Sequence, residues 1–122
     1  MKTERQRLEK KLDDLIREIV RYRDRGICYT CGRFCQSQVG HYIPRAIRLE
    51  RWNVKNCHCQ CIRCNYTLEG NKIVYREKLI NQYGIEEVEK MEKNMRENNH
   101  FTIEDLKQIK INLEKIRDEI KE

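Results

Sequence analysis

The sequence predicts an α+β domain: a small cysteine-clipped centre at residues 26–84, with helical arms at 1–25 and 85–122 belonging to the same compact unit. Three observations predict it. Two CxxC pairs, Cys28/Cys31 and Cys61/Cys64, lie within that centre. Apolar residues recur at three- and four-residue steps at both ends of the chain, the period of a helix with one buried stripe. Between the cysteine pairs this period gives way to two short runs, Val39 to Ile43 and Asn56 to Gln60, which read as strand pieces.

Paired CxxC motifs present four thiolates at the spacing of structural zinc sites and fill a tetrahedral shell, leaving no open position for chemistry. Structural Zn²⁺ on Cys28, Cys31, Cys61 and Cys64 is therefore expected. A chain of 122 residues that is 39% hydrophobic and 38% charged can bury only a modest core, so such a clip matters to its stability. Cys35, Cys57 and Cys59 are supernumerary. Each reads as a small buried residue, with Cys57 and Cys59 also able to replace a neighbour in the zinc shell. Seven cysteines cannot all pair, and no signal-like or membrane-length apolar stretch is seen. A reducing cytoplasm and no membrane partner are the expectation.

The formal net charge is +6, and residues 26–84 alone hold nine Lys/Arg against three Asp/Glu, whereas residues 85–122 hold eight against eleven. A positive field gathered on the cysteine-bearing centre suits a polyanion, above all nucleic acid. Arg45, Arg48, Arg51, Lys55 and Arg63, with Lys72, Arg76 and Lys78 after them, are the candidate phosphate contacts. The plain alternative is a solvated basic surface. Trp52 and Tyr42 can stack on unpaired bases, but a small module short of large apolar residues is expected to keep Trp52 in its core.

Leu8, Leu12, Leu15, Ile16, Ile19 and Val20 draw the stripe of a first helix, from Lys2 to about Arg25, which Gly26 ends. In the strand pieces, alternation sets His41 opposite Gly40 and Tyr42. It puts Asn56, His58 and Gln60 on one face, with Cys57 and Cys59 on the other. Pro44 limits the first strand. A short helix is expected from Cys64 to about Leu68, broken by Gly70 and Asn71, then helices from Ile73 to Tyr83 and along Ile85, Val88, Met91 and Met95. Asn98, Asn99 and His100 break the pattern, and His100 is expected to be exposed. Thr102 with Asp105 predicts a capping box, with Phe101 and Leu106 at the staple positions. The seam Leu106, Ile109, Leu113, Ile116 and Ile120 is expected to meet the first helix or a second copy, a homodimer through the arms.

His41 within GHYIP, Asn56 five residues before Cys61, and Asn65 directly after Cys64 stand beside the two cysteine pairs. Together they resemble the HNH (ββα-metal) endonucleases. The longer run GHYIPRA…RWNVKNCHCQCIRCNYTLEGN…VYREKLINQYG is similar, more specifically, to phage recombination nucleases of the NinG/Rap kind, over roughly Cys28 to Gly84. The resemblance implies a treble-clef-like ββα-metal core. It also implies a metal-dependent endonuclease that hydrolyses DNA phosphodiester bonds in phage recombination, with branched DNA among its expected substrates, in the host cytoplasm. It makes His41 the general base, Asn56 the residue that secures the loop and orients the base, and Asn65 a contact of a catalytic Mg²⁺ or Mn²⁺. The family's acidic ligand just before the base is here Gly40, and His58 is the local replacement that alternation offers. The chemistry of the residues agrees: a neutral imidazole accepts a proton from attacking water, and a divalent cation stabilises a departing oxyanion. Gly40 leaves one alternative, a noncatalytic zinc-stabilised DNA-binding protein.

Overall fold

A computed structural model describes residues 1–34, 38–97 and 100–122. In chain order its elements are α1 (Glu4–Asp24), β1 (Gln38–His41), α2 (Arg48–Arg51), β2 (Cys57–Gln60), α3 (Lys72–Tyr83), α4 (Ile85–Lys93) and α5 (Ile103–Lys121). Single 3₁₀ turns lie at Val54–Asn56 and Asn94–Arg96, and one π turn at Arg63–Thr67. The result is a small α+β domain in which a two-stranded sheet lies between helices.

Each terminal helix starts on a threonine for the same reason. The Thr3 hydroxyl accepts from the Gln6 amide while the Gln6 side chain accepts from the Thr3 amide, and Thr102 and Asp105 repeat the exchange at α5. Two of the otherwise unpaired first-turn donors are thus satisfied at each helix. At its other end α1 closes one residue earlier than Gly26: Arg25 itself takes the left-handed conformation, φ 53°, and Gly26 continues the reversal at φ 77°. The two apolar stripes then meet. Leu12, Leu15, Ile16, Ile19 and Val20 share a core with Leu106 and Leu113, while Phe101 and Ile109 pack at its border. The surface that the sequence offers either to an internal partner or to a second copy is used within the chain.

The strands are antiparallel, with Gly40 opposite His58 and His41 opposite Cys57. Both are shorter than the runs that predict them. Tyr42 and Ile43 leave the ladder, and Asn56 closes the 3₁₀ turn that Asn53 caps by accepting from the Lys55 amide. Alternation holds across β2: Cys57 and Cys59 join Trp52 and α1 in the first core, whereas His58 and Gln60 face the other way. All four are buried because each face of the strand is covered. The far side carries a second core, in which Tyr42 and Ile43 pack with Tyr75 and Leu79 of α3 and Val88 and Met91 of α4.

Two local departures have local causes, while the α3–α4 boundary falls where the sequence sets it. The expected helix from Cys64 to Leu68 is one π turn, because the chain there wraps a cysteine pair instead of propagating. Gly84, at φ 92°, divides α3 from α4. Met95 falls in the 3₁₀ turn after α4 and is exposed. Asn98, Asn99 and Cys35 lie outside the described residues, and His100 is exposed as expected.

If the α1–α5 seam carries the arms, Leu113→Ala should cost about 2–5 kcal/mol by denaturant unfolding at constant zinc. Ile111→Ala, on the exposed side of the same helix, should stay within about 0.5 kcal/mol. Equal effects would show that the seam is not where the stability lies.

Candidate functional site

Two turns bring the cysteine pairs together. Gly32, at φ 77°, reverses the chain so that its amide donates to Cys28 O at 2.8 Å, and the Cys28 amide bonds back to Arg33 O at 2.9 Å. At the end of β2 the Cys64 amide donates to Cys61 Sγ at 3.4 Å. The sulfurs of Cys28, Cys31, Cys61 and Cys64 all lie within 4.8 Å of one another, and Cys31 and Cys61 are 3.7 Å apart. A tetrahedral ion with Zn–S bonds of about 2.3 Å sets its sulfurs about 3.8 Å apart. The donor set therefore fits zinc. Burial opposes the Cys28 thiolate, but bonds from Thr30 and nearby backbone amides outweigh it and bring the group to about 6. The Arg33 amide favours the Cys31 thiolate, yet burial and the three neighbouring sulfurs push it up to about 12. Four negative sulfurs at this spacing need a cation among them. Cys57 and Cys59 are not in the set; they face α1, and burial raises the Cys57 thiol far above its usual value.

His41 ends β1 with its Nε2 3.0 Å from the Arg51 carbonyl. A carbonyl only accepts, so Nε2–H donates and Nδ1 keeps its lone pair. Burial lowers the His41 pKa and Arg45 and Arg51 add to that, against the opposing effects of the carbonyl bond and Asp13. The ring is thus held neutral and in one tautomer. It lines a groove of about 370 Å³ with Gln38, Val39 and Arg45 on one side and Asp13, Ile16 and Arg17 of α1 on the other.

Asn56 secures the loop that supplies this carbonyl. Fully buried, it accepts from the Ile43 amide at 2.7 Å and donates to the carbonyls of Ile43 and Glu50, each at 3.0 Å. One side chain thus ties the start of the β1–α2 connection to α2, where Arg51 follows Glu50. Glu50 is itself buried; burial raises its pKa, against bonds from Asn53 and Asn94.

The remaining candidates are placed differently. Asn65 donates to Gln38 Oε1 at 2.8 Å, so it reaches the groove through Gln38. His58 lies on the opposite face of the sheet from His41, as a period of two requires. Tyr29 stacks on its ring at 3.8 Å, and the hydroxyls of Tyr75 and Tyr83 each lie 3.2 Å from one ring nitrogen. Neither nitrogen is left for a cation, and burial pushes the group down to about 3. A larger residue at Gly40 would require the Gln60 side chain to move, since a Cβ would fall 1.9 Å from Gln60 Oε1. That oxygen is, among the described residues, the buried side-chain atom without a hydrogen-bond partner.

No second group of three His, Cys, Asp or Glu side chains converges among the described residues. The groove's carboxylate, Asp13, is surrounded by donors, so these residues do not by themselves cage Mg²⁺ or Mn²⁺. Such ions commonly take one or two protein ligands and complete their shell with water and substrate phosphate.

Most of the expected phosphate contacts have internal partners. Arg45 and Arg51 pair with Asp13 at 2.7 Å, Arg48 with Glu9 at 3.0 Å, Arg76 with Glu92 at 2.8 Å and Lys55 with Glu87 at 3.5 Å. The Lys72 ammonium donates to the carbonyls of His41 and Tyr42, each at 2.5 Å. Arg45 stays 60% exposed and Arg51 only 11%. Arg63 and Lys78 are exposed with no ion pair among the described residues. Trp52 is buried as expected, donating to Asp13 at 2.8 Å, and Tyr42 is buried with its hydroxyl on Glu92. The contribution of α1 to the groove is what sequence reasoning misses. Asp13 sits on the charged flank of an amphipathic helix and no spacing marks it.

Residues 1–122 match the family model described as bacteriophage lambda NinG protein. The chain is 38% identical over 106 residues to the protein ninG of Escherichia phage lambda, covering 83% of this chain and 51% of that protein. It is 36% identical over 106 residues to the ninG protein of Escherichia phage 933W, and 33% over 105 residues to that of Salmonella phage P22. The alignments cover 83% of this chain in both, and 52% and 51% of those relatives. The chain thus spans about half the length of the curated relatives it matches. No solved structure matches it. Among the described residues no helix is long and apolar enough to cross a membrane.

Purified protein should carry about one tightly held zinc per chain, and chelation should unfold the centre. Cys61→Ser should lose the metal, while Cys57→Ser should keep it; metal analysis beside circular dichroism reads both. Zinc-free protein with disulfides at these cysteines would contradict the assignment. His58 yields a pH prediction. Its folded pKa lies below the unfolded value of about 6.5, so the unfolded state binds more protons between the two. Stability is complete above about 6.5 and falls as pH drops toward the folded value. His58→Phe should flatten the loss between pH 7 and 5.5 in denaturant unfolding at fixed zinc; an unchanged slope would locate the acid sensitivity elsewhere.

Proposed function

The chain belongs to the NinG family, and from that premise we propose that it is a metal-dependent DNA endonuclease of phage recombination, with His41 as the general base. The observation that carries the reading is the His41–Arg51 bond. It commits Nε2–H to a fixed carbonyl and leaves Nδ1 unprotonated on a ring that lines a groove with Arg17 and Arg45. Water bound against Nδ1 can lose a proton to it as the oxygen attacks phosphorus. Asn56 holds the loop, and the exposed guanidinium of Arg45 binds the phosphate. Arg63 and Lys78, exposed and with no ion pair among the described residues, are further contacts for the DNA backbone in this reading. This is the work of a ββα-metal core, with β1, β2 and the segment after Cys64 as its parts. A divalent cation, when bound, neutralises charge on the departing oxygen; Asn65 is its contact in this reading, and His58 is a packed imidazole. The phage host's cytoplasm is the setting. The arms act within one chain, because their stripes cover each other.

One observation favours a second reading. Gln60 fills the space beside Gly40, where the HNH resemblance implies an acid, so a noncatalytic zinc-stabilised DNA-binding protein accounts for the same basic surface. Salt-sensitive binding is common to both. Cleavage separates them: linear, single-stranded, flap and four-way DNA are incubated with Mg²⁺ or Mn²⁺. The nuclease reading expects metal-dependent cutting that falls about 10²–10⁴-fold in His41→Ala, with zinc content and folding intact. Equal cutting by the variant removes His41 as the base. Tight binding with no cutting of any substrate establishes the second reading.

A further inference from the structure

Asp13 lies on α1, away in sequence from the cysteine pairs and His41, yet its two oxygens accept four hydrogen bonds from Arg45, Arg51 and Trp52. Oδ1 accepts from Trp52 Nε1 at 2.8 Å and from Arg51 Nε at 3.1 Å, and Oδ2 accepts from terminal nitrogens of Arg51 and Arg45, each at 2.7 Å. Arg51 and Trp52 are consecutive, so the carboxylate grips the side chains on both sides of one peptide. The carbonyl of that peptide receives His41 Nε2–H. Asn56 fixes the preceding carbonyl, that of Glu50, from the opposite direction.

We propose that Asp13 is the positioning residue for His41, reaching from α1 to clamp the Arg51–Trp52 peptide and thereby fixing the tautomer and angle of the imidazole. Its effect on cleavage rests on the nuclease reading; its effect on the imidazole does not. Asp13 has a second consequence through charge. The groups around the ring are Asp13 and Arg17 from α1, Arg45 from the loop, Arg51 from α2, and Lys72, bonded to the His41 carbonyl. Asp13 is the anion among them. Removing its charge leaves cations facing the ring and makes protonation harder. Burial opposes ionisation of Asp13, but the bonds from Arg51, Arg45 and Trp52 outweigh it and keep the carboxyl below its ordinary range. The clamp is therefore charged throughout the neutral pH range.

The test uses zinc-loaded full chain and two variants, Asp13→Asn and Asp13→Glu. Long-range ¹⁵N–¹H spectra of the His41 ring read tautomer and titration without any cleavage. Wild type should show a single Nε2–H tautomer. Asp13→Asn should show mixed tautomers and titrate at lower pH, and Asp13→Glu should restore part of the wild-type pattern. In cleavage, Asp13→Asn should lower kcat on the order of tenfold to a hundredfold with little change in KM, and should move the acid limb of the pH profile downward. A folded Asp13→Asn protein with wild-type tautomer and titration overturns the proposal. A rise in KM alone, with kcat and spectra unchanged, also overturns it and leaves Asp13 as a partner of the arginines. If wild type cuts no DNA, the nuclease reading falls and the spectra alone decide the role of Asp13. Should Asp13→Asn not fold, Trp52→Phe removes one bond to Oδ1 and is read by the same spectra, with loosened tautomer expected and an unchanged ring overturning the clamp.

Discussion

Four sulfur atoms within 4.8 Å of one another are the constraint that the centre of this chain is built around. Without a cation their mutual repulsion and burial oppose ionisation, and with one they tie the segment after α1 to the end of β2. That tie sets neighbours. The Tyr29 amide reaches the Cys59 carbonyl at 2.8 Å, and its ring lies on His58. His58 in turn joins Tyr75 and Tyr83 of α3. The clip thus sits where two small cores, one against α1 and one against α3 and α4, share a two-stranded sheet. Such a sheet is marginal by itself and depends on what covers it.

The connection from β1 to β2 has little backbone ladder of its own, and its carbonyls are satisfied by side chains instead. Tyr75 donates to Gly40 O, Lys72 to His41 O and Tyr42 O, Asn56 to Ile43 O and Glu50 O, and His41 to Arg51 O. Buried backbone groups require partners, and here the donors come from α3, from the loop's own end and from the candidate base. A histidine held by this network is oriented by the fold at large. This is how residues far apart in sequence, Asp13, His41, Asn56 and Lys72, act on one imidazole.

The sequence made the helices readable because caps and stripes are local signals. Thr102 with Asp105, and the run from Leu8 to Val20, needed no tertiary information. The cysteine set was readable because CxxC spacing is a geometric statement about one ion. Alternation correctly separated Cys57 and Cys59 from His58 and Gln60, and the same rule sets His58 on the far face from His41. What the sequence hid was pairing between distant charges. Arg45, Arg48 and Arg51 read as a row of phosphate contacts, but Asp13 and Glu9 of α1 lie beside them. No one-dimensional pattern distinguishes an acid facing solvent from one facing an arginine on another element, 38 residues away. The close approach of Gln60 to Gly40 was hidden for the same reason.

The central claim is that one face of this molecule, the groove between β1 and α1, receives a DNA phosphate against His41 while a separate zinc holds the fold. Anomalous diffraction at the zinc and manganese edges, from one crystal grown with Mn²⁺ and bound DNA, tests it most directly. The account predicts a zinc peak among Cys28, Cys31, Cys61 and Cys64, and a DNA phosphate with its manganese in the groove facing Nδ1 of His41. DNA crossing another face with His41 covered, or manganese bound away from the groove, would contradict it.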